Sequence, residues 1–166
     1  MNNKTHTTLR YLIFSLSILV LGMSFYLQYV KGFEPCPLCL MQRLCVIFIT
    51  ALSAIGLYRR ESEHTKSLMI AQLIFVGAGL FFATRQLWLQ SLPGDQIPAC
   101  LPGLSVLIHY FPWQNTVHAL FWGSGDCTKI KWTLLGLSLP MWSAFYFLCV
   151  GFVNSFLLYL VFNRKK

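Results

Sequence analysis

Two cysteines, Cys36 and Cys39, form a C-x-x-C pair in the stretch EPCPLCLMQR, directly before a long apolar run. Such pairs occur in structural disulfides, in metal sites and in redox centres. Pro37 favours the first turn of a helix, because a proline there gives up an N–H that the helix does not use. Cys39 then lies in that first turn, where the positive end of the helix dipole stabilises a thiolate. Because a disulfide across so short a loop adds little stability, we favour thiol–disulfide exchange over a static bridge.

Arg43 follows Cys39 by four residues, so the predicted helix places both on one face, about one turn apart. A charge within a membrane span costs about 2.5–3.5 kcal/mol at the centre and less near an end. The side chain alone could simply extend to the membrane surface. The shared face favours a role in stabilising a thiolate or in binding an oxygen-rich ligand beside it. Arg85 is predicted either to extend to the membrane surface or to line the same cavity as Arg43.

A second pair, Cys100 and Cys127, is separated by 26 residues and flanked by the turn-forming stretches PACLPG and SGDC. Three interpretations are open: a disulfide that fixes the loop, exchange with the C-x-x-C pair, or a zinc site made from both pairs. We favour exchange over zinc, because four-cysteine zinc sites usually repeat a short C-x-x-C-like segment and this chain has one. Cys45 and Cys149 lie within apolar runs and are predicted to be small buried hydrophobic residues.

The composition indicates that membrane-spanning helices position these residues. Of the 166 residues, 56% are hydrophobic and 11% are charged, and the mean hydropathy is +0.60, which is not the composition of a soluble domain. We predict a single-domain, all-α bundle of four transmembrane helices, with spans at approximately 11–30, 39–58, 67–90 and 142–162. The first run is too long for a signal-peptide core and no Ala-x-Ala-like site follows it, so we expect it to be retained.

The positions of the positive charges predict the orientation of the bundle. Eight of the 13 basic residues lie in the tails or in the loop 59–66: Lys4, Arg10, Arg59, Arg60, Lys66, Arg164, Lys165 and Lys166. Basic loops remain in the cytoplasm, so the net charge of +8 reflects topology and not nucleic-acid binding. Both termini then face the cytoplasm, and loops at approximately 31–38 and 93–140 face the outside. All four cysteines of the two pairs lie on that side, where disulfides persist.

The second outer loop contains an apolar and aromatic segment, 103–122, that is too interrupted by His, Pro, Gln and Asn to span a membrane. Because Trp and Tyr prefer the headgroup region, we predict a short helix on the membrane surface. Packing of the loop against the top of the bundle is the alternative, and both keep it close to the membrane plane.

The combination of PCPLCLMQR before a span, two further outer cysteines and SGDCTKIKWTLLGLSLPMW resembles the bacterial disulfide bond formation protein B (DsbB) family, over nearly the whole chain. The resemblance implies an inner-membrane oxidoreductase with a periplasmic active face. Such an enzyme takes two electrons from a reduced DsbA-like dithiol and passes them to ubiquinone or menaquinone, which sustains disulfide bond formation. It implies no metal cofactor.

The resemblance also implies a role for each candidate residue. The partner's thiolate would attack Cys100, and Cys127, once released, would attack Cys36. Cys39 would then be freed as a thiolate that engages the quinone, and Arg43 would lie beside a quinone oxygen. A lipid-dissolved quinone suits this task, because DsbA-type proteins are already strong oxidants, at about −120 mV, and the final acceptor needs a higher potential.

Three other classes of function are weighed against this one. A vitamin K epoxide reductase-like enzyme also combines four helices with two cysteine pairs, but there the C-x-x-C pair lies late in the chain, whereas here it lies at 36–39. A channel or adhesion protein would carry a disulfide-fixed loop without redox-active thiols. A metal sensor or carrier would bind zinc or copper stoichiometrically.

Overall fold

The structure is a computed structural model that describes residues 3–33, 35–58, 65–93, 113–128 and 133–163. Within these ranges the chain forms five α-helices, a 3-10 turn and a short hairpin. The helices are α1 (Asn3–Tyr29), α2 (Pro37–Tyr58), α3 (Thr65–Gln90), α4 (Trp113–Trp122) and α5 (Leu139–Asn163). The 3-10 turn is Gly125–Thr128, and β1 (Thr133–Leu134) pairs antiparallel with β2 (Leu137–Ser138).

Four of the described helices, α1, α2, α3 and α5, are long and apolar enough to cross a membrane. The predicted spans 11–30, 39–58, 67–90 and 142–162 fall within these helices, apart from one residue at the end of α1. Since about 20 apolar residues are needed to cross a bilayer, the prediction of an all-α, four-span membrane protein is confirmed.

Two helices begin earlier than predicted. The predicted loops 31–38 and 93–140 each extend two residues too far, because α2 begins at Pro37 and α5 at Leu139. Pro37 and Pro140 lie in the first turns of these helices, where the missing N–H of proline has no helical partner to lose. The hairpin just before α5 was not predicted. Its turn needs positive φ angles at Leu135 and Gly136, of 54° and 79°.

The spanning helices pack in the order α1, α2, α3, α5, and α1 barely contacts α5. The core between them is built from large side chains that are almost completely buried, including Leu38, Ile49, Leu89, Phe147 and Leu157. Helix association in a membrane depends on close packing, because lipid is as apolar as leucine. The weak contact between α1 and α5 therefore leaves an opening on that side of the bundle.

Helix α3 packs closely on α5 at Gly79. A Cβ atom at this position would lie 2.3 Å from two ring atoms of Phe147, whose side chain is fully buried. We expect Gly79→Ala to destabilise the protein by about 1–3 kcal/mol, because the buried ring has little room to move. Unfolding in detergent would measure the loss. Gly77→Ala is the matched control, since a Cβ there meets nothing within 4 Å; equal losses in the two variants would contradict the prediction.

The short helix α4 lies in the long loop and packs against α2. It exposes large apolar side chains along its length, namely Trp113, Val117, Phe121 and Trp122. A short helix within the predicted segment 103–122 is therefore present, and residues 103–112 lie outside the described part of the chain.

Candidate functional site

Cys36 caps the N-terminus of α2 and places its sulfur beside that of Cys39. The carbonyl of Cys36 accepts a hydrogen bond from the N–H of Leu40 at 3.1 Å, and its Sγ accepts one from the N–H of Cys39 at 3.4 Å. A serine or aspartate side chain usually provides this capping contact. The two Sγ atoms are 2.9 Å apart, and both cysteines are free thiols. Small side-chain rotations would allow a disulfide between them.

Cys127 reaches the same place from the far end of the long loop. After α4 the chain turns at Gly123, whose φ is +83°, and the N–H of Cys127 donates to the carbonyl of Ser124 at 2.9 Å. Glycine is needed at 123, because a Cβ there would lie 2.6 Å from the Cδ1 atom of Leu89 and 2.8 Å from that of Leu38. The 3-10 turn packs on both α2 and α3, which leaves Cys127 only 1% exposed.

Hydrogen bonds give Cys127 and Cys36 opposite protonation preferences. The pKa of Cys127 is lowered to about 6, chiefly because the Cys36 thiol donates to its sulfur, and the backbone N–H groups of Ser124 and Leu38 add to this effect. Leu38 lies in the first turn of α2, where the helix dipole also favours a thiolate. The same hydrogen bond raises the pKa of Cys36, which keeps the proton. Cys36 therefore contacts both Cys39 and Cys127, and the three sulfurs form one cluster.

The lowered pKa of Cys127 predicts a thiolate that persists below neutral pH. In the reduced protein, the difference in thiolate ultraviolet absorbance between wild type and Cys127→Ser should fall as the pH drops through about 6. The absorbance difference falls because the thiolate is the deprotonated form and is lost below the pKa. An unperturbed cysteine would titrate near 8.5, and a midpoint there would contradict the arrangement of the cluster.

A cavity of about 470 Å³ lies beside the sulfur cluster, on the side where α1 and α5 barely touch. Apolar side chains of α1 and α5 form most of its wall. Its polar lining includes Cys36, Cys39, Gln42, Arg43, Gln86 and Ser143. Small-molecule sites typically have volumes of about 300–1,000 Å³ and combine apolar walls with a few convergent polar groups. Both features indicate a site for an apolar ligand with a polar end.

Arg43 lines this cavity and is held there by α1. Its Nε donates to the hydroxyl of Ser24 at 2.9 Å, one Nη donates to the carbonyl of Ser24 at 3.3 Å, and the other donates to the side-chain carbonyl of Gln28. The guanidinium also lies over the ring of Phe25, 4.8 Å from its centre. These contacts fix a positive charge one helical turn from Cys39, on the wall of the cavity.

Arg85 is directed elsewhere. Its guanidinium stacks over the rings of Trp88 and Trp122, at 4.2 and 5.4 Å from their centres, and its Nε donates to the carbonyl of Trp122 at 3.3 Å. Arg85 does not line the cavity that contains Arg43. The prediction that the two arginines share this cavity is therefore wrong. The stacking ties α3 to the end of α4.

The remaining cysteines have separate environments. Cys45 is 5% exposed in the core, as predicted. Cys149 is half-buried and lines the cavity, so its predicted burial is wrong; the opening between α1 and α5 exposes it. Cys100 lies outside the described residues. Among the residues that are described, no three His, Cys, Asp or Glu side chains are arranged to hold a metal ion.

The polar residues of the site that were not identified from the sequence include Ser24, Gln28, Gln42, Gln86 and Ser143. Gln86 is 4% exposed, and its Nε2 lies 3.3 Å from the Cys39 sulfur and 3.5 Å from the Cys36 sulfur. A glutamine within an apolar, membrane-spanning run was the signal that the sequence offered, because polar groups inside membrane spans are costly and often functional.

A four-helix membrane bundle with a buried thiol cluster beside an apolar cavity defines a class of protein, the multi-pass membrane thiol–disulfide proteins. The family model described as "Disulfide bond formation protein DsbB" matches residues 6–157. The chain therefore belongs to the DsbB family of disulfide bond formation proteins.

Individual relatives agree with this assignment. A "Disulfide bond formation protein B" of Hahella chejuensis is 41% identical over 150 residues, which cover 89% of each chain. A protein of the same name from Acinetobacter baumannii is 40% identical over 154 residues, covering 89% of this chain and 90% of its own. Another from a Psychrobacter species is 32% identical over 168 residues, covering 97% and 96%. In each comparison the similarity extends over nearly the full length of this chain and of the relative.

Proposed function

We propose that this protein is a thiol:quinone oxidoreductase of the bacterial inner membrane, which reoxidises a periplasmic DsbA-like dithiol and so sustains disulfide bond formation. The observation that carries the proposal is the position of the sulfur cluster: Cys36 and Cys39 line an apolar cavity, and the buried Cys127 contacts Cys36. Thiols in this position link a donor in water with an acceptor dissolved in lipid. Membership of the DsbB family supports the same activity.

The cysteine end of the bundle faces the periplasm in this proposal. Arg10 near the start of α1 and Lys66 at the start of α3 lie at the opposite end, where Arg10 donates to the carbonyl of Gly56 near the end of α2 at 3.4 Å. Positive charge of this kind favours the cytoplasmic side, and disulfides persist on the other side. The exposed aromatic residues of α4 are then suited to the periplasmic membrane surface, where Trp residues are enriched.

Electrons enter the relay at Cys100 and reach Cys39. The partner's thiolate attacks the Cys100–Cys127 disulfide at Cys100, which forms a mixed disulfide and releases Cys127 as a thiolate. Cys127 attacks the Cys36–Cys39 disulfide at Cys36 and releases Cys39 as a thiolate. The partner's second thiolate then displaces Cys100, which leaves the partner oxidised. Cys100 in turn displaces Cys36 from Cys127, so Cys36 and Cys39 together hold both electrons. The low pKa of Cys127 makes it a good leaving group in the first step.

The cavity fits a membrane quinone as the final acceptor. Ubiquinone or menaquinone, when bound, accepts two electrons and two protons. The apolar walls suit its ring and tail, and Arg43 is held by Ser24 and Gln28 where a guanidinium stabilises negative charge on a ligand oxygen. Cys39 lies on the same wall, which lets the cysteine pair re-form its disulfide as the electrons leave.

Quinone reduction by the purified protein tests the proposal directly. Supplied with a reduced DsbA-like partner and a short-chain ubiquinone or menaquinone, the wild type should reduce one quinone for each partner dithiol that it oxidises, followed by ultraviolet absorbance. Partner oxidation without quinone consumption would contradict the proposal, and so would the absence of both reactions.

Arg43→Gln should raise the apparent KM for quinone about tenfold or more and leave the KM for the thiol partner nearly unchanged, because a charged hydrogen bond to the ligand is lost. Steady-state kinetics with each substrate varied in turn would measure both values. Arg85→Gln is the matched control, since Arg85 stacks on tryptophans away from the cavity. An unchanged quinone KM in the Arg43 variant would remove Arg43 from the quinone site.

A further inference from the structure

A chain of hydrogen bonds runs from α5 through α2 to α3 and ends on the C-x-x-C sulfurs. The hydroxyl of Ser143 lies 2.6 Å from the side-chain carbonyl of Gln42 and 3.1 Å from the carbonyl of Pro140, and it donates its one hydrogen to the nearer acceptor, Gln42. The Nε2 of Gln42 donates to the Oε1 of Gln86 at 2.8 Å. The Nε2 of Gln86 then lies 3.3 Å from the Cys39 sulfur and 3.5 Å from the Cys36 sulfur.

This chain fixes the direction of the Gln86 amide. Because the carbonyl of Gln42 accepts from Ser143, its NH₂ group is turned toward Gln86, and the carbonyl of Gln86 is turned toward Gln42. The NH₂ group of Gln86 is left to face the sulfurs. Gln42 is 6% exposed and Gln86 is 4% exposed, so water does not compete for these groups, and hydrogen bonds in a low-dielectric interior are strengthened by their neighbours.

The Gln86 amide can form a hydrogen bond with Cys39 in either protonation state. As a thiol, Cys39 can donate to the Oε1 of Gln86, which lies 3.5 Å from its sulfur. As a thiolate, it can accept from the Nε2 of Gln86 at 3.3 Å. The second contact is the stronger, because a hydrogen bond to a charged partner is worth about twice one between neutral groups. The amide therefore stabilises the reduced, charged sulfur more than the neutral one.

We propose that Gln86 stabilises the thiolate that Cys39 becomes when the Cys36–Cys39 disulfide is reduced, and that Gln42 and Ser143 are positioning residues that hold its amide in the donating orientation. The inference rests on the proposed function insofar as it takes this pair to be redox-active. It adds a specific determinant of how readily the pair accepts electrons from Cys127.

A measurement of the redox equilibrium separates this role from a merely structural one. Full-length protein in detergent, freed of quinone and partner, is equilibrated with mixtures of reduced and oxidised dithiothreitol. Two dithiothreitol thiols become its cyclic disulfide, and the Cys36–Cys39 bond becomes one thiol and one thiolate, with release of a proton. Acid quenching, alkylation and peptide mass spectrometry give the fraction of the pair that is reduced.

Gln86→Met keeps the length of the side chain and removes both amide contacts. We expect its equilibrium constant for reduction to fall about tenfold, because a buried thiolate loses its donor. Ser143→Ala should shift the equilibrium in the same direction by a smaller factor. Gln72→Met is the matched control. Gln72 is also a buried glutamine of α3, but it donates to Ser53 at 2.7 Å, far from the sulfurs.

Wild-type behaviour of a folded Gln86→Met variant would overturn the inference, and so would an equal shift in Gln72→Met. If Gln86→Met does not fold, Ser143→Ala decides: a lowered equilibrium constant supports the inference and an unchanged one overturns it. Failure of the proposed function is seen separately, as a wild-type pair that equilibrates with dithiothreitol but does not reduce quinone in the presence of the thiol partner.

Discussion

Replacing Cys39 by alanine is expected to abolish electron transfer from a reduced thiol partner to quinone, with a loss of roughly a thousandfold or more in turnover. The Cys39 sulfur lies 2.9 Å from the Cys36 sulfur, and Cys39 lines the cavity together with Arg43. Without its sulfur, the C-x-x-C pair cannot form the Cys36–Cys39 disulfide, and forming that bond is the step that gives two electrons to the acceptor. Turnover is measured as quinone consumed in the presence of reduced partner.

Cys45→Ala is the control for this loss. Cys45 is on the same helix as Cys39 and is 5% exposed in the core, away from the cavity. We expect its replacement to leave turnover within about twofold of wild type and to cost only the stability of a small truncated core side chain. Loss of turnover in a well-folded Cys45→Ala protein, or full turnover without Cys39, would show that the redox chain runs through other sulfurs.

The spans and one face of the site could be predicted because local patterns determine them. Apolar length alone locates four spanning helices, and the four-residue spacing puts Cys39 and Arg43 on one face of α2 in any helical structure. Pro37 marks the start of that helix. Each of these inferences needs only a short stretch of sequence and the geometry of a helix.

The rest of the site depends on contacts between distant residues, which no local pattern encodes. Gln86 meets Cys39 only because α3 packs on α2, and Cys127 reaches the N-terminus of α2 only because the chain turns at Gly123. The cavity exists because α1 and α5 barely touch, and the same opening exposes Cys149. Arg85 was ambiguous because its partners include Trp122, on a helix 37 residues away.

A disulfide between Cys36 and Cys127 is expected to form in nearly quantitative yield when Cys39 and Cys100 are both replaced by alanine and the protein is mildly oxidised. The two residues lie in one cluster, and the Cys36 thiol donates to the Cys127 sulfur. Cys127, with a pKa of about 6, is a thiolate at neutral pH and is ready to exchange. Proteolysis without reduction, followed by mass spectrometry, would identify the linked peptides.

The same protein with Cys127→Ser added is the control, and it should leave Cys36 unlinked. Cys45 and Cys149 are the competing thiols. Cys45 is buried in the core more than two helical turns below Cys36, and Cys149 lines the cavity on α5. A high yield of the Cys36–Cys127 link would support the step that carries electrons from the long loop to the C-x-x-C pair. Linkage of Cys36 to Cys45 or Cys149, or free Cys36 under conditions that oxidise the wild type, would mean that the electrons take another path to the cavity.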